Sequence, residues 1–340
     1  MNEITIAGTH EELGCAYGEV VAERKLNTWW REPSARKLAF VKACEEAVAE
    51  HAPGYLDELR ALAVANDADY YLVLSNMIAT YFAEPACCNV VGVSGSQTAR
   101  GRTIFVRNHD WLDADAHAVT CFRTAPRDGL RHIAFGFTDP GRYDGVNEAG
   151  LAVGSSSIAF YTGKVQPGLR MNVVTRWVLD TCPDVPSAVE YMRRIPHQEG
   201  IAYLLADASG LVARVEAAPE GVDVAMTDDG MLSTVNMFQS AAMAPYDRVP
   251  NPGNVIFEYR RRIEAWYDAD RGAIDLGKTI AFASDHDAGI CDHGKEWEES
   301  FGTIYSWVTE LGTDELRVAH GRPCQTPYEP YPLIVPRGDA

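Results

Sequence analysis

Residues 85–111 read Pro85-Ala-Cys87-Cys88-Asn-Val-Val-Gly-Val-Ser-Gly-Ser-Gln-Thr-Ala-Arg-Gly-Arg-Thr-Ile-Phe-Val-Arg107-Asn-His109-Asp110-Trp111. A valine-rich run at 89–94 and a β-branched and aromatic run at 103–106 flank a polar, glycine-bearing turn. That is the pattern of two strands joined as a hairpin. A hairpin folds its ends together, so Cys88 is expected to meet Arg107 and Asp110 at one edge. A thiol beside a guanidinium titrates low and becomes a nucleophile. The competing reading of the same residues is a buried structural cysteine next to a surface ion pair.

Outward from this stretch the texture differs on the two sides. Before it, apolar residues recur at helical spacing, with helices expected over 11–25, 35–50, 55–65 and 70–82. After it come strands expected at 118–122, 132–137 and 151–155, helices at 171–181 and 185–194, and strands at 202–206, 211–215 and 232–235. A loop follows at 241–255, then helices at 256–268 and 276–283 and strands at 302–309 and 315–319. The proline-bearing tail from 322 is expected to be extended. Helices, strands, helices and strands in this order suggest stacked layers of sheet and helix in one integrated unit.

The chain has 340 residues and a net charge of −18, which disfavours nucleic acid and anionic membrane as partners. Its first residues lack a basic start and an apolar run, so neither a secretory signal nor a spanning segment is expected. Eight scattered cysteines form no disulfide framework, which fits a reducing cytoplasm. Small-molecule partners are expected, and homo-oligomerisation is left open.

Several motifs dissolve on inspection. Gly92, Gly95 and Gly101 have neither dinucleotide nor phosphate-loop spacing and read as turn residues. His286, Cys291 and His293 contain one short ligand pair without a second, so no metal site is expected there. Residues 145–151 read as a tight turn into a strand. Asn236 ends a strand, where an amide either caps a turn or donates to a developing oxyanion. No Gly-x-Ser-x-Gly elbow occurs, and the local signature of papain-like thiol proteases is missing.

Taken in order, further segments resemble one family. Ala7-Gly8-Thr9-His10-Glu11-Glu12-Leu13-Gly14 is similar to its opening Gly-Ser-x-x-Glu-x-Gly. Residues 53–60 resemble its Pro-x-Tyr-x-Glu-Leu helix. Gly101 to Trp111 is close to Gly-x-Thr-x-x-x-[Arg/Gln]-Asn-x-Asp-Trp. The turn at 145–151, Asn236, Ser284-Asp285-His286 to Cys291, and Gly321-Arg322-Pro323-Cys324 follow in sequence. The chain thus resembles the acyl-coenzyme A:6-aminopenicillanic acid acyltransferase group of N-terminal-nucleophile hydrolases. Bile salt hydrolases, penicillin V acylases and acid ceramidase are more distant relatives.

The resemblance implies a four-layer αββα sandwich, an α/β fold, with residues 1–87 as a helical pro-segment or small subunit and 88–340 as the catalytic unit. It implies cleavage of the 87–88 bond and attack by Cys88 on a linear amide, with no cofactor and no metal. Cys88, Arg107, Asp110 and Asn236 match the nucleophile, the arginine at the thiol, the aspartate at the freed α-amine and the oxyanion-hole asparagine. His109 and Trp111 are candidates for substrate contact. Cys88 departs from the family in being followed by Asn89-Val90, and Cys87 is the alternative nucleophile. The ungapped distance from Cys88 to Asp110 favours Cys88. Some relatives carry a second asparagine where this chain has Ser155, Ser156 or Ser157, and a late arginine is expected from Arg260, Arg261 or Arg262. Hydrolysis is the expected reaction. Acyl transfer to an amine, and an unprocessed relative that only binds a small molecule, are the alternatives.

Overall fold

The computed structural model describes residues 1–79, 88–249, 253–293 and 301–333. The chain opens on a strand, β1 (Asn2–Gly8), in a segment read as having none. Thr9 then caps α1 (His10–Arg24) in a reciprocal capping box with Glu12, and the helix stops where Lys25 turns left-handed at φ 54°. Ser34 caps α2 (Ala35–His51), Pro53 opens α3 (Pro53–Ala65), and Asp69 caps α4 (Tyr70–Met77). The helix expected over 70–82 therefore ends at Met77; its last positions lie outside the described residues.

The hairpin follows as β2 (Cys88–Val93) and β3 (Ile104–Leu112). Next come β4 (Thr120–Pro126), β5 (His132–Gly136), β6 (Asp144–Asn147) and β7 (Ala152–Ser157). Helices α5 (Met171–Thr181) and α6 (Val185–Arg194) begin and end where the sequence predicts. The chain continues through β8 (Ile201–Ala206), β9 (Val212–Ala218), β10 (Gly221–Thr227) and β11 (Met231–Thr234), then α7 (Val255–Asp270) and α8 (Leu276–Ser284). It ends through β12 (Phe301–Glu310), β13 (Leu316–Ala319) and β14 (Tyr328–Tyr331). Strands β6, β10 and β14 were not expected. β6 fell in a stretch read as a turn, and β14 falls in the proline-bearing tail.

The strands form two sheets. One has eight strands in the order β1-β4-β5-β6-β7-β8-β9-β10, parallel only at β1–β4; the other has six, β11-β2-β3-β12-β13-β14, all antiparallel. Adjacent residues in a strand face opposite sides. Val90, Phe105 and Trp307 therefore point from the six-stranded sheet into the space between sheets, where they meet Phe135, Leu204 and Val212. Their neighbours Val91, Val106 and Val308 point outward and pack under Ile263, Trp266 and Phe282 of α7 and α8. On the far side of the eight-stranded sheet, Val153, Leu205 and Val215 are covered by helices that include α1, α3, α5 and α6. The layer order is helix, sheet, sheet, helix, the αββα sandwich the resemblance implied.

The two sheets approach closely because glycine lines the seam. A Cβ at Gly92 would stand 2.8 Å from Val212 Cγ1, and one at Gly154 would stand 2.9 Å from Val90 Cγ1. Residues 1–79 are woven into this body rather than appended to it. β1 pairs along its whole length with β4, from Asn2 opposite Thr120 to Gly8 opposite Pro126.

Candidate active site

In the hairpin register Cys88 lies opposite His109 and Val90 opposite Arg107. Cross-strand partners share a face, so the Cys88 thiol, the Arg107 guanidinium and the His109 imidazole all point between the sheets. Arg107 Nη2 is 3.2 Å from Cys88 Sγ and 2.9 Å from His109 Nδ1. All three residues are buried.

The carboxylate that balances Arg107 comes from the other sheet. Arg107 Nε donates to Asp144 Oδ2 at 3.1 Å, Tyr305 Oη donates to the same oxygen at 2.8 Å, and Trp307 Nε1 donates to Oδ1 at 2.6 Å. Burial alone would push the Asp144 carboxyl up. The hydrogen-bond partners and the charge of Arg107 outweigh it and hold Asp144 below the usual carboxylate range. His109 stacks on Tyr305 with ring centroids 4.7 Å apart. Burial lowers its pKa to about 4. A neutral imidazole that accepts from Arg107 at Nδ1 carries its proton on Nε2. Among the described residues Nε2 has no hydrogen-bond partner.

The Cys88 thiol does not titrate low. Burial, the largest influence, pushes it up; Arg107 pulls the other way, and Asp110 adds to the rise. The expectation from sequence weighed the guanidinium and omitted the desolvation. The folded environment favours the protonated sulfur, so a nucleophilic role for it would need a base.

Asp110 sits one pleat away, on the opposite face of β3. Its Oδ1 accepts from Thr303 Oγ1 at 2.5 Å and its Oδ2 from Asn89 Nδ2 at 3.1 Å. Its main-chain oxygen is 3.9 Å from Cys88 Sγ. Arg107 is thus paired with Asp144, not with Asp110, which corrects the ion pair read from sequence. Burial and the nearby Asp292 raise the Asp110 carboxyl well above its ordinary range.

Asn236 reaches the start of β2 from beyond β11. It takes up left-handed backbone at φ 58°, which asparagine tolerates better than most residues. Its Oδ1 accepts the Cys88 N–H, and its Nδ2 donates to the Ser157 carbonyl at 2.8 Å. Its own N–H donates to Ser156 Oγ at 2.8 Å, and Ser156 Oγ donates to the Cys88 carbonyl at 3.3 Å. The amide expected to donate to an oxyanion is here engaged with Ser157, while its oxygen holds the Cys88 nitrogen.

Cys88, Arg107 and His109 face a pocket of about 870 Å³. Trp111, Phe137 and Tyr143 give it aromatic walls, Ser155 and Ser157 line it near the thiol, and Arg170 and Glu199 bring charge. Its rim includes Arg24 to Leu26, Thr28 and Trp29, just beyond α1. Trp111 Nε1 is held by Asp115 at 2.8 Å. The three late arginines do not line this pocket. Arg260 pairs with Glu264 at 2.9 Å, and Arg262 pairs with Glu258 along α7. Besides Arg107, the half-buried Arg170, in the loop that opens α5, brings a second cation from the body of the fold to the pocket. Neither Arg170 nor Asp144 was singled out from sequence. Asp144 immediately precedes the stretch read as a turn, and the only signal at Arg170 was its place before a helix. Cys87 and the 87–88 bond lie outside the described residues.

The four-layer αββα sandwich is a fold of the N-terminal-nucleophile hydrolase type. Within it, the chain belongs to the acyl-coenzyme A:6-aminopenicillanic acid acyl-transferase family, whose model matches residues 97–325. That span holds Arg107, Asp110 and Asn236; Cys88 lies before it. Among solved structures, the chain is similar to a conjugated bile acid hydrolase of Clostridium perfringens, with 16% identity and a TM-score of 0.48, over 68% of this chain and 89% of that one. It is also similar to the Caenorhabditis elegans orthologue of N-acylethanolamine-hydrolyzing acid amidase, with 13% identity and a TM-score of 0.48, over 66% and 92%. Penicillin V acylase of Agrobacterium tumefaciens matches with 17% identity and a TM-score of 0.46, over 69% and 83%. No curated protein matches the chain.

Proposed function

We propose that the protein is a self-processing cysteine amidohydrolase that cleaves a linear amide through an acyl-enzyme on Cys88. The observation that carries this reading is the Cys88 thiol, 3.2 Å from Arg107 Nη2 at the pocket, with its own nitrogen gripped by Asn236. Family membership makes hydrolysis or transfer of an acyl group the class of reaction to expect.

Hydrolysis of the 87–88 peptide bond adds one water, leaves residues 1–87 ending in a carboxylate and frees the α-amine of Cys88. That amine takes the thiol proton as sulfur attacks the substrate carbonyl, which supplies the base that the raised thiol pKa demands. The C–S bond forms, the tetrahedral oxyanion collapses, and the amide nitrogen leaves with the proton. Water then attacks the thioester, the carboxylic acid departs and the thiol is restored. Arg107 stabilises negative charge on sulfur, with Asp144 fixing its orientation. Asn236 Oδ1 positions the amine. As the amine becomes an ammonium with the thiol proton, Asp110 releases its own proton to solvent, because the new positive charge offsets the burial that otherwise keeps the acid neutral. His109, through Nε2–H, and Trp111 contact the substrate. An amine in place of water in the second half would give acyl transfer, the reaction in the family's description. An acidic chain with described cysteines that are all free fits a small-molecule substrate in a reducing cytoplasm.

Intact mass tests the first step. Wild type should resolve into fragments 1–87 and 88–340 in denaturant yet co-elute under native conditions, since β1 is paired to β4. Cys88→Ala should stay a single, inactive chain. Cleavage at 87–88 in that variant would remove Cys88 from its role and turn attention to Cys87.

A further inference from the structure

Two of the residues set aside from sequence come together with a third from another segment. His286 and His293 lie in the loop after α8, and Cys324 lies in the turn before β14. Their ligand atoms are all within 4.8 Å of one another. His293 Nε2 stands 3.0 Å from Cys324 Sγ, and the two imidazole centroids are 4.9 Å apart. Cys291 is in hydrogen-bond contact with Cys324 on the buried side, while His286 faces solvent. Sequence spacing gave one short pair, Cys291 and His293, and no second; the fold supplies the missing donor from Cys324.

Two imidazoles and a thiolate are the borderline donors that zinc prefers. Around tetrahedral zinc such atoms stand roughly 3.3–3.6 Å apart. The cluster therefore needs only small side-chain shifts to close on an ion. The other group of potential ligands, His10, Glu58 and Asp180, is already closed: Arg176 donates to Glu58 at 2.7 Å and to Asp180 at 2.9 Å.

We propose that His286, His293 and Cys324 bind a zinc ion, with water in the fourth position on the solvent side of His286. The ion clamps the loop after α8 to the turn before β14. Between Cys291 and His293, Asp292 donates its N–H to Thr303 Oγ1 at 2.8 Å, and Thr303 in turn donates to Asp110 Oδ1 at 2.5 Å. The clamp thus holds the segment that supports Asp110, and its ligands are positioning residues.

The test uses the full chain, purified with reductant, stripped with chelator and titrated with zinc or cobalt. One equivalent should bind, with thiolate-to-metal charge transfer in the cobalt spectrum and a thermal midpoint that rises with free zinc. Cys324→Ser and His293→Ala should weaken binding by more than about a hundredfold, beyond the loss from removing a mere outer partner. Cys88→Ala should bind as wild type does, so the result stands whether or not the chain is an amidohydrolase. Absence of metal binding by the reduced wild type would overturn the site. So would unchanged binding in both ligand variants, or a Cys291–Cys324 disulfide found by peptide mapping of the native protein.

Discussion

At the scale of residues, the contacts around Arg107 set the character of the site. One guanidinium joins the Cys88 sulfur, the His109 imidazole and the Asp144 carboxylate, and the last of these comes from the opposite sheet. Cys88, Arg107, His109 and Asp110 were legible because they share one hairpin, whose local rules predict who faces whom. Asp144 was not, since its pairing with Arg107 spans 37 positions and depends on how two sheets stack. The low thiol pKa expected from Arg107 failed for a related reason: a neighbouring charge can be seen in sequence, but the degree of burial, which decides against it, is set by the fold.

Asp110 offers the sharpest prediction at this scale. A buried carboxyl with a raised pKa favours the protonated form in the fold. The unfolded chain ionises first as pH rises, so this group costs stability above the ordinary carboxylate range and nothing below it. In the unprocessed Cys88→Ala chain, Asp110→Asn should therefore lose no stability at pH 7 and should flatten the pH dependence of the thermal midpoint. Asn89, whose Oδ1 is buried without a partner, can turn its amide to receive the new Nδ2. In the otherwise wild-type chain the same change should cut turnover by about a hundredfold or more, because a neutral amide cannot hold an ammonium in place. A processed Asp110→Asn variant with near-normal turnover would exclude Asp110 from the site.

At the scale of elements, alternation does most of the work. Val90 and Val91, Phe105 and Val106, and Trp307 and Val308 each split between the two faces of one sheet. The same alternation sends Cys88 toward the pocket and Asn89 toward Asp110. Gly92 lies on the seam face of β2, where a side chain would enter Val212. Gly92→Val should destabilise the fold by about 1–3 kcal/mol through overpacking, read as a lower denaturant midpoint. Gly101→Ala, at a turn with open space around it but φ of 67°, should lose stability through backbone strain instead. The elements that escaped the sequence are short or lie at edges. β14 carries Pro330 and has only β13 as its neighbour, and β1 buries just Ile4 and Ile6 along its length. Such strands exist because a partner presents a free edge, and their own residues say little about it.

At the scale of the whole molecule, three buried histidines set an acid limit. Burial holds His109 and His197 at about 4 and His132 at about 3, against 6.5 when exposed. The unfolded chain binds their protons first as pH falls, so the histidines' contribution to stability should be full above 6.5 and decline toward about 4. The thermal midpoint measured across that window should fall steadily with acidification. A flat profile would show that these imidazoles are already charged in the fold. No helix among the described residues is long and apolar enough to cross a membrane.

By itself the sequence determined the β2–β3 hairpin, most helices and the central strands, because periodicity, caps and turn residues act over a few neighbours. It also determined the family, through the order of weak motifs along the chain. Only the tertiary structure decided which acid balances Arg107, which arginine reaches the pocket, and that His286, His293 and Cys324 share one corner. Each of those facts joins residues far apart in the chain. Their distances follow from sheet order, layer stacking and burial, which arise when the whole chain closes on its cores.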